Sequence, residues 1–139
     1  MSDDLIRDKG GLQQFYDDPN VVGTYLRRKE SPIGAVLHAR QVAFLNRVIG
    51  TLKPQRLLEI APGPARLSAE LDPVPLAVGM DFSPNMLAEA RRRTRAAGRP
   101  AWQFVRGDGF RLPFATGSVD FVFSIRFVRR FERDGRTNL

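Results

Sequence analysis

The stretch LLEIAPGPARL, Leu57 to Leu67, is followed after a short gap by LAVGMDFSPNMLAEA, Leu76 to Ala90. Each begins as a short apolar run with an acid at or near its end, Glu59 in one and Asp81 in the other, and each then passes into a segment of helical character. Short apolar runs alternating with helical stretches are the signature of βα units around a parallel sheet. Outward from this pair the same reading predicts strands at Arg56 to Ile60, Leu76 to Met80, Trp102 to Arg106 and Asp120 to Ser124. All are short and apolar, as strands covered on both faces should be. Between them fall a short helix around Ala65 to Leu71 and a longer one from Ser83 to Gly98. The longer helix has Ser83 as cap, Pro84 in the first turn, and an apolar stripe of Met86, Leu87 and Ala90. The expected fold is α/β: a Rossmann-like, doubly wound parallel sheet, incomplete at about four strands, preceded by N-terminal helices.

Upstream the chain changes character. Residues 1–54 read as an N-terminal helical lid segment and 55–139 as a truncated Rossmann-like domain. Pro19 and Asn20 suggest a turn. Ser31 and Pro32 open a long amphipathic helix, with Ile33, Val36, Leu37, Phe44, Leu45 and Val48 at helical spacing and Gly50 as the expected stop.

Composition narrows the chemistry. The chain has 139 residues, no cysteine and a single histidine, His38, which removes disulfides, thiolate metal sites and histidine-rich metal sites. The start MSDDLIRDKGG lacks the basic and apolar regions of a secretory signal, and no apolar run reaches the length of a membrane span, so a cytoplasmic protein is expected. The formal charge is +7, carried mostly by arginine. Arg91, Arg92, Arg93 and Arg95 read as a solvated helix face without an aromatic base-stacking platform, so no nucleic-acid partner is expected.

Three features occur in order at predicted strand ends, where open α/β sheets bind ligands. The first is Glu59 and the small-residue loop behind it, which lets backbone approach a ligand and leads into a helix N-terminus able to receive an anion. The second is Asp81, about 20 residues further on, a spacing that suits a carboxylate accepting from two ribose hydroxyls. The third is FVRGDGFRLPFATGSVDFVFS, Phe104 to Ser124, with Asp108 after the third strand. Together these segments resemble class I S-adenosylmethionine (SAM)-dependent methyltransferases, most closely the quinone-biosynthesis type. The resemblance implies SAM as cofactor, with Glu59 as the acid of the first motif and Ala61, Gly63 and Ala65 at its glycine positions. Ala61 and Ala65 are expected to substitute sterically with φ negative, while Pro62 and Pro64 stiffen the loop. It further implies that Asp81 binds the ribose, that Phe82 and Met86 lie near the adenine, and that Asp108 and the Gly109 backbone meet the ring. A carboxylate accepts but does not donate, which suits the adenine amine.

The implied reaction is methyl transfer to a small-molecule acceptor. The sulfonium is already an excellent leaving group, so positioning matters more than a fixed acid or base. No convincing base is legible. His38 reads as a structural or surface residue, Tyr16 and Tyr25 belong to the lid segment, and Ser124, Arg126 and Phe127 are the candidates for the active-site floor. The resemblance runs from about Leu57 to Phe131, and the eight residues Glu132 to Leu139 cannot supply a further βα unit, which needs about 30. A chain cut before its sheet is complete is therefore expected, with an exposed edge on the fourth strand that invites homo-oligomers. The alternative is a non-catalytic SAM-binding or structural fragment that self-associates to complete its sheet. A nicotinamide-dependent dehydrogenase fits less well, because its loop requires GxGxxG and this one has a single glycine.

Overall fold

The computed structural model describes residues 14–15, 17–28, 31–125 and 127. Helix α1 spans Pro19–Arg28 and helix α2 Pro32–Leu52; the α/β part then runs β1 Arg56–Ile60, β2 Leu76–Asp81, α3 Pro84–Ala96, β3 Trp102–Arg106 and β4 Phe121–Phe123. Pro19 opens a helix where the sequence suggested a turn, because Asp18 accepts the Asn20 N–H at 2.8 Å, satisfying one of the donors that a helix start leaves free. Ser31 caps α2 through the Gly34 N–H as expected, but Gly50 does not end it. The helix runs on to Lys53, whose φ of 48° turns the chain left-handed. In place of a helix after β1 there are turns and the 3-10 segment Ser68–Glu70. Pro62, Pro64 and a left-handed Ala65 keep a regular helix from starting there.

The four strands are parallel, in the order β3-β2-β1-β4. Strand order reverses beside β1, so the crevice at the C-terminal ends of β1 and β4 is the topological switch point where such sheets bind ligands. Asp120 lies just outside β4 and holds the other end of the same seam: its carboxylate accepts from the Gln55 and Arg56 N–H groups at 3.0 and 2.8 Å. Those backbone bonds hold its carboxyl below the usual carboxylate range.

The two faces of the sheet differ. One carries Phe121 and Phe123, Leu57 and Glu59, Ala77 and Gly79, Trp102 and Phe104 in register across the four strands. Small residues on β2 sit opposite large ones on β3: Ala77 pairs with Trp102 and Gly79 with Phe104. Leu45 and Ile49 of α2 and Leu87 and Ala90 of α3 join this face in one buried cluster. On the other face Leu58 and Met80 are buried, and the loop after β3 covers the strand ends, with Gly109 against Ile60. Leu76, Val105 and Val122 of that face remain 43%, 37% and 46% exposed. Among the described residues no helix is long and apolar enough to cross a membrane.

Candidate functional site

At the end of β1 the chain enters three left-handed residues in alternation. Ala61, Gly63 and Ala65 have φ of 56°, 57° and 58°. The expectation of negative φ at the two alanines is thus corrected: they adopt the glycine conformation with a Cβ in place. The left-handed form costs a non-glycine residue roughly 1–2 kcal/mol. The loop is held in it by hydrogen bonds from the Ala61 N–H to Met80 O at 2.8 Å and from the Gly63 N–H to Asp81 Oδ2 at 2.9 Å. Ala61→Gly relieves that strain but gives the unfolded chain the freedom of glycine, about 0.5–1 kcal/mol. A net stabilisation of about 0.5–1 kcal/mol is expected in urea denaturation; a loss would mean that Ala61 is not left-handed in solution.

Asp81 ends β2 and is the hinge of the site. One carboxylate oxygen accepts from Gly63 and the other from the Ser83 N–H at 3.0 Å, so a single side chain fixes both the loop and the start of α3. Burial pushes its carboxyl up, opposed by the backbone bonds from Ser83, Gly63 and Phe82. A carboxylate has about four acceptor positions, and the residue as a whole is half-buried, so capacity remains for hydroxyl donors beside the backbone bonds. Ser83 itself caps α3 through the Met86 N–H. Met86 is buried, its sulfur 4.0 Å from where a Cβ on Gly63 would lie, so it packs beneath the loop. Phe82 is half-buried under the Arg106 guanidinium, 5.0 Å from its ring centroid, while Arg106 Nε donates to the Phe82 carbonyl.

Glu59 lies deeper, 3% exposed, and accepts the Ser68 hydroxyl at 2.5 Å. Burial pushes its carboxyl up to about 7; the Ser68 hydrogen bond opposes this and the Asp81 charge adds to it. Glu59 thus ties the 3-10 turn to β1 from below the loop rather than facing solvent. The partner Ser68 was not legible: nine positions separate it from Glu59, and no periodicity marks it.

On the other side of the β1 end, Asp108 forms a turn, its Oδ1 accepting the Phe110 N–H and its carbonyl the Arg111 N–H, each at 2.9 Å. A methyl on Gly109 would stand 2.6 Å from Phe127 Cζ and 3.3 Å from Ile60 Cγ2, so this glycine lets the Phe127 ring close onto the backbone. Ser124 Oγ donates to the Ile60 carbonyl at 3.0 Å, joining the ends of β4 and β1. These contacts gather Gly63, Asp81 and Met86 into one group and Gly109, Phe127 and Ser124 into another, both at the C-terminal end of the sheet. Tyr16 and Arg126 lie outside the described residues, and Tyr25 is half-buried on α1. His38 Nε2 is 2.9 Å from Glu70 Oε1, remote in sequence from these groups and in keeping with a structural role. Among the described residues no cluster of three histidine or acidic side chains could hold a metal.

The profile of the family described as "Methyltransferase domain" matches residues 57–138, which spans every strand and loop of this site. The chain belongs to that family. Within it, the chain is of the class I SAM-dependent methyltransferase type and matches an N-terminal part of such proteins. Among its relatives, the demethylmenaquinone methyltransferase of Beutenbergia cavernae is 44% identical over 85 residues, covering 58% of this chain and 33% of the relative. The malonyl-[acyl-carrier protein] O-methyltransferase of Legionella pneumophila is 40% identical over 80 residues, covering 55% and 28%. The chain thus spans about a third of the length of these curated relatives. Two solved structures share the fold. The methyltransferase domain of bacterial CtHen1-CN superposes with a TM-score of 0.58 at 11% identity, over 70% of this chain and 55% of that one. Cofactor-bound Rv0187 from MTB gives 0.54 at 22% identity, over 77% and 60%.

Proposed function

We propose that this methyltransferase-family chain binds SAM at the C-terminal ends of β1 and β2 and belongs to a cytoplasmic enzyme that methylates a small-molecule acceptor. The observation that carries the reading is the Asp81 carboxylate, which bridges the Gly63 and Ser83 N–H groups beside a left-handed small-residue loop. In this reading Asp81 accepts from the ribose hydroxyls, with Phe82 and Met86 toward the adenine. Ala61, Gly63 and Ala65 bring backbone close to the cofactor, Asp108 and Gly109 meet the base, and Ser124 borders the methyl group. Glu59 is a positioning residue acting through Ser68. SAM supplies the activated methyl; the chain orients it and excludes water, and no general base is assigned. The names of the relatives support an acceptor of the quinone or acyl-carrier class.

Calorimetric titration with SAM, and with NAD on the same sample, tests the reading. Asp81→Ala removes charge-assisted hydrogen bonds worth about 1.5–3 kcal/mol, so affinity should fall by one to two decades. Asp81→Asn, which keeps one acceptor oxygen, should fall less. Unchanged binding in the alanine variant would remove the ribose from Asp81, and preference for NAD would overturn SAM as the cofactor.

A second reading, a SAM-binding or structural piece that self-associates, is favoured by the apolar face carrying Leu76, Val105 and Val122 and by β4, which pairs with β1 alone among the described strands. Open edges and apolar patches invite a partner. Sedimentation equilibrium should show a concentration-dependent dimer or larger species, and a monomer at all concentrations would end this reading.

A further inference from the structure

Away from the strand ends, a cavity of about 160 Å³ opens between the last turns of α3 and the start of β3. Arg91, Arg95 and Arg99 line it, with Gln103 beside them and Trp102 and Phe104 among its walls. Arg91 and Arg95 are four apart and so share a side of α3. Arg99 reaches the same place because Gly98, at φ 71°, turns the chain back and the Arg99 N–H returns to Thr94 O at 2.8 Å.

Two of the three guanidiniums are fixed without being neutralised. Arg91 donates to the Phe104 carbonyl at 3.0 Å and Arg99 to the Leu71 carbonyl at 2.9 Å. Each spends one of its five donors. Among the described residues none of the three has a carboxylate within ion-pair distance, whereas their neighbours Arg92 and Arg93 both pair with Glu89. Charge is therefore sorted, with a compensated side of α3 and, around a concavity, two unopposed cations of α3 joined by Arg99 from the turn after it. The C-terminal end of a helix carries about half a negative charge, which works against an anion. Three guanidiniums outweigh it.

We propose that this cavity is a binding site for a phosphate group, held by Arg91, Arg95 and Arg99. Planar guanidiniums present paired donors that match phosphate oxygens, and carbonyl-fixed side chains lose less freedom on binding than solvated ones. The site does not depend on the cofactor reading. Trp102 and Arg106 stand at opposite ends of β3, about 13 Å apart along the strand, and Arg106 is the residue paired with Asp81.

The test is titration of the whole chain with inorganic phosphate and with glycerol phosphate at constant ionic strength, followed by calorimetry and phosphorus NMR. Saturable binding in the low millimolar range or tighter is expected. A preference for the ester would place the phosphate on a larger ligand, and a preference for inorganic phosphate would make it the free ion; either supports the site. Arg91→Gln and Arg99→Gln also remove carbonyl bonds and can weaken the fold. The Arg95 guanidinium makes no hydrogen bond to another described residue, so Arg95→Gln isolates the charge. It should weaken phosphate binding roughly tenfold while leaving thermal stability and SAM affinity unchanged. Absence of saturable binding, equal binding by the Arg95 variant, or equal competition by chloride would overturn the proposal. Tighter binding of short RNA with a steep salt dependence would do so too, by making the patch a general polyanion surface.

Discussion

Glu59→Gln is expected to make the chain more stable at pH 8, by roughly 3 kcal/mol. The carboxyl of Glu59 is buried in β1 and is pushed up from 4.5 to about 7. Below pH 4.5 it is neutral in both the folded and the unfolded chain. Between 4.5 and about 7 the unfolded chain has released the proton and the folded chain still holds it, so stability falls as pH rises through this window. Above it both states are ionised and the penalty is constant. Asp81, also shifted upward by burial, adds a slope of the same sign. Glutamine keeps an oxygen for the Ser68 hydroxyl and has nothing to ionise. Thermal denaturation from pH 4 to pH 9 should show the wild type losing stability toward neutrality and the variant with a much flatter profile. Equal slopes would mean that Glu59 is ionised in the folded chain throughout.

Gly79→Ala should be among the most damaging single-methyl changes. Gly79 is in the middle of β2, where a Cβ would stand 2.6 Å from the Phe104 ring and 3.1 Å from Pro62. Its backbone takes no left-handed angle, so the cost is steric. Overpacking of this kind costs typically 1–3 kcal/mol. The upper end is expected, because the ring is stacked on Trp102 at 5.9 Å and Pro62 belongs to a loop already held in left-handed turns. Relief can come only by moving the β3 aromatic pair or the loop. SAM affinity should therefore drop together with the urea midpoint. A variant as stable as the parent would show that Phe104 has room to rotate away.

Much of this was readable from the chain, and the limits have physical reasons. β1 and β3 fall where apolar runs put them, and Ser31 and Ser83 cap the helices that Pro32 and Pro84 open, because those signals are local. The helix expected over Ala65 to Leu71 became turns and a 3-10 segment, since two prolines and a left-handed alanine outweigh its apolar spacing. Positive φ at Ala61 and Ala65 had no residue-type signal, because alanine ordinarily avoids it; the loop is held by hydrogen bonds that Ala61, Gly63 and Ala65 N–H groups donate to Met80 O, Asp81 Oδ2 and Pro62 O. Asp81 was legible by spacing, but its clamp on two N–H groups was not. Of the arginine face read as solvated, Arg91, Arg92 and Arg95 are exposed; that Arg91 also donates to the Phe104 carbonyl, and Arg99 beyond that face to Leu71, only the tertiary fold decides.

Strand order also has a kinetic side. Leu57 pairs with Ala77 on one flank and with Phe121 on the other, so β1 meets β2 after a short excursion of the chain and β4 only after a long one, 64 residues at the Asp120 to Arg56 bond. Closing long loops is slow, and nearby pairings form first. The β1-β2-α3-β3 unit should assemble as an early block, with β4 arriving last and detaching first. The seam between β1 and β4 borders the proposed site on the side of Ser124. Its two fasteners, Asp120 at one end and Ser124 at the other, then decide when a ligand-ready chain exists at all.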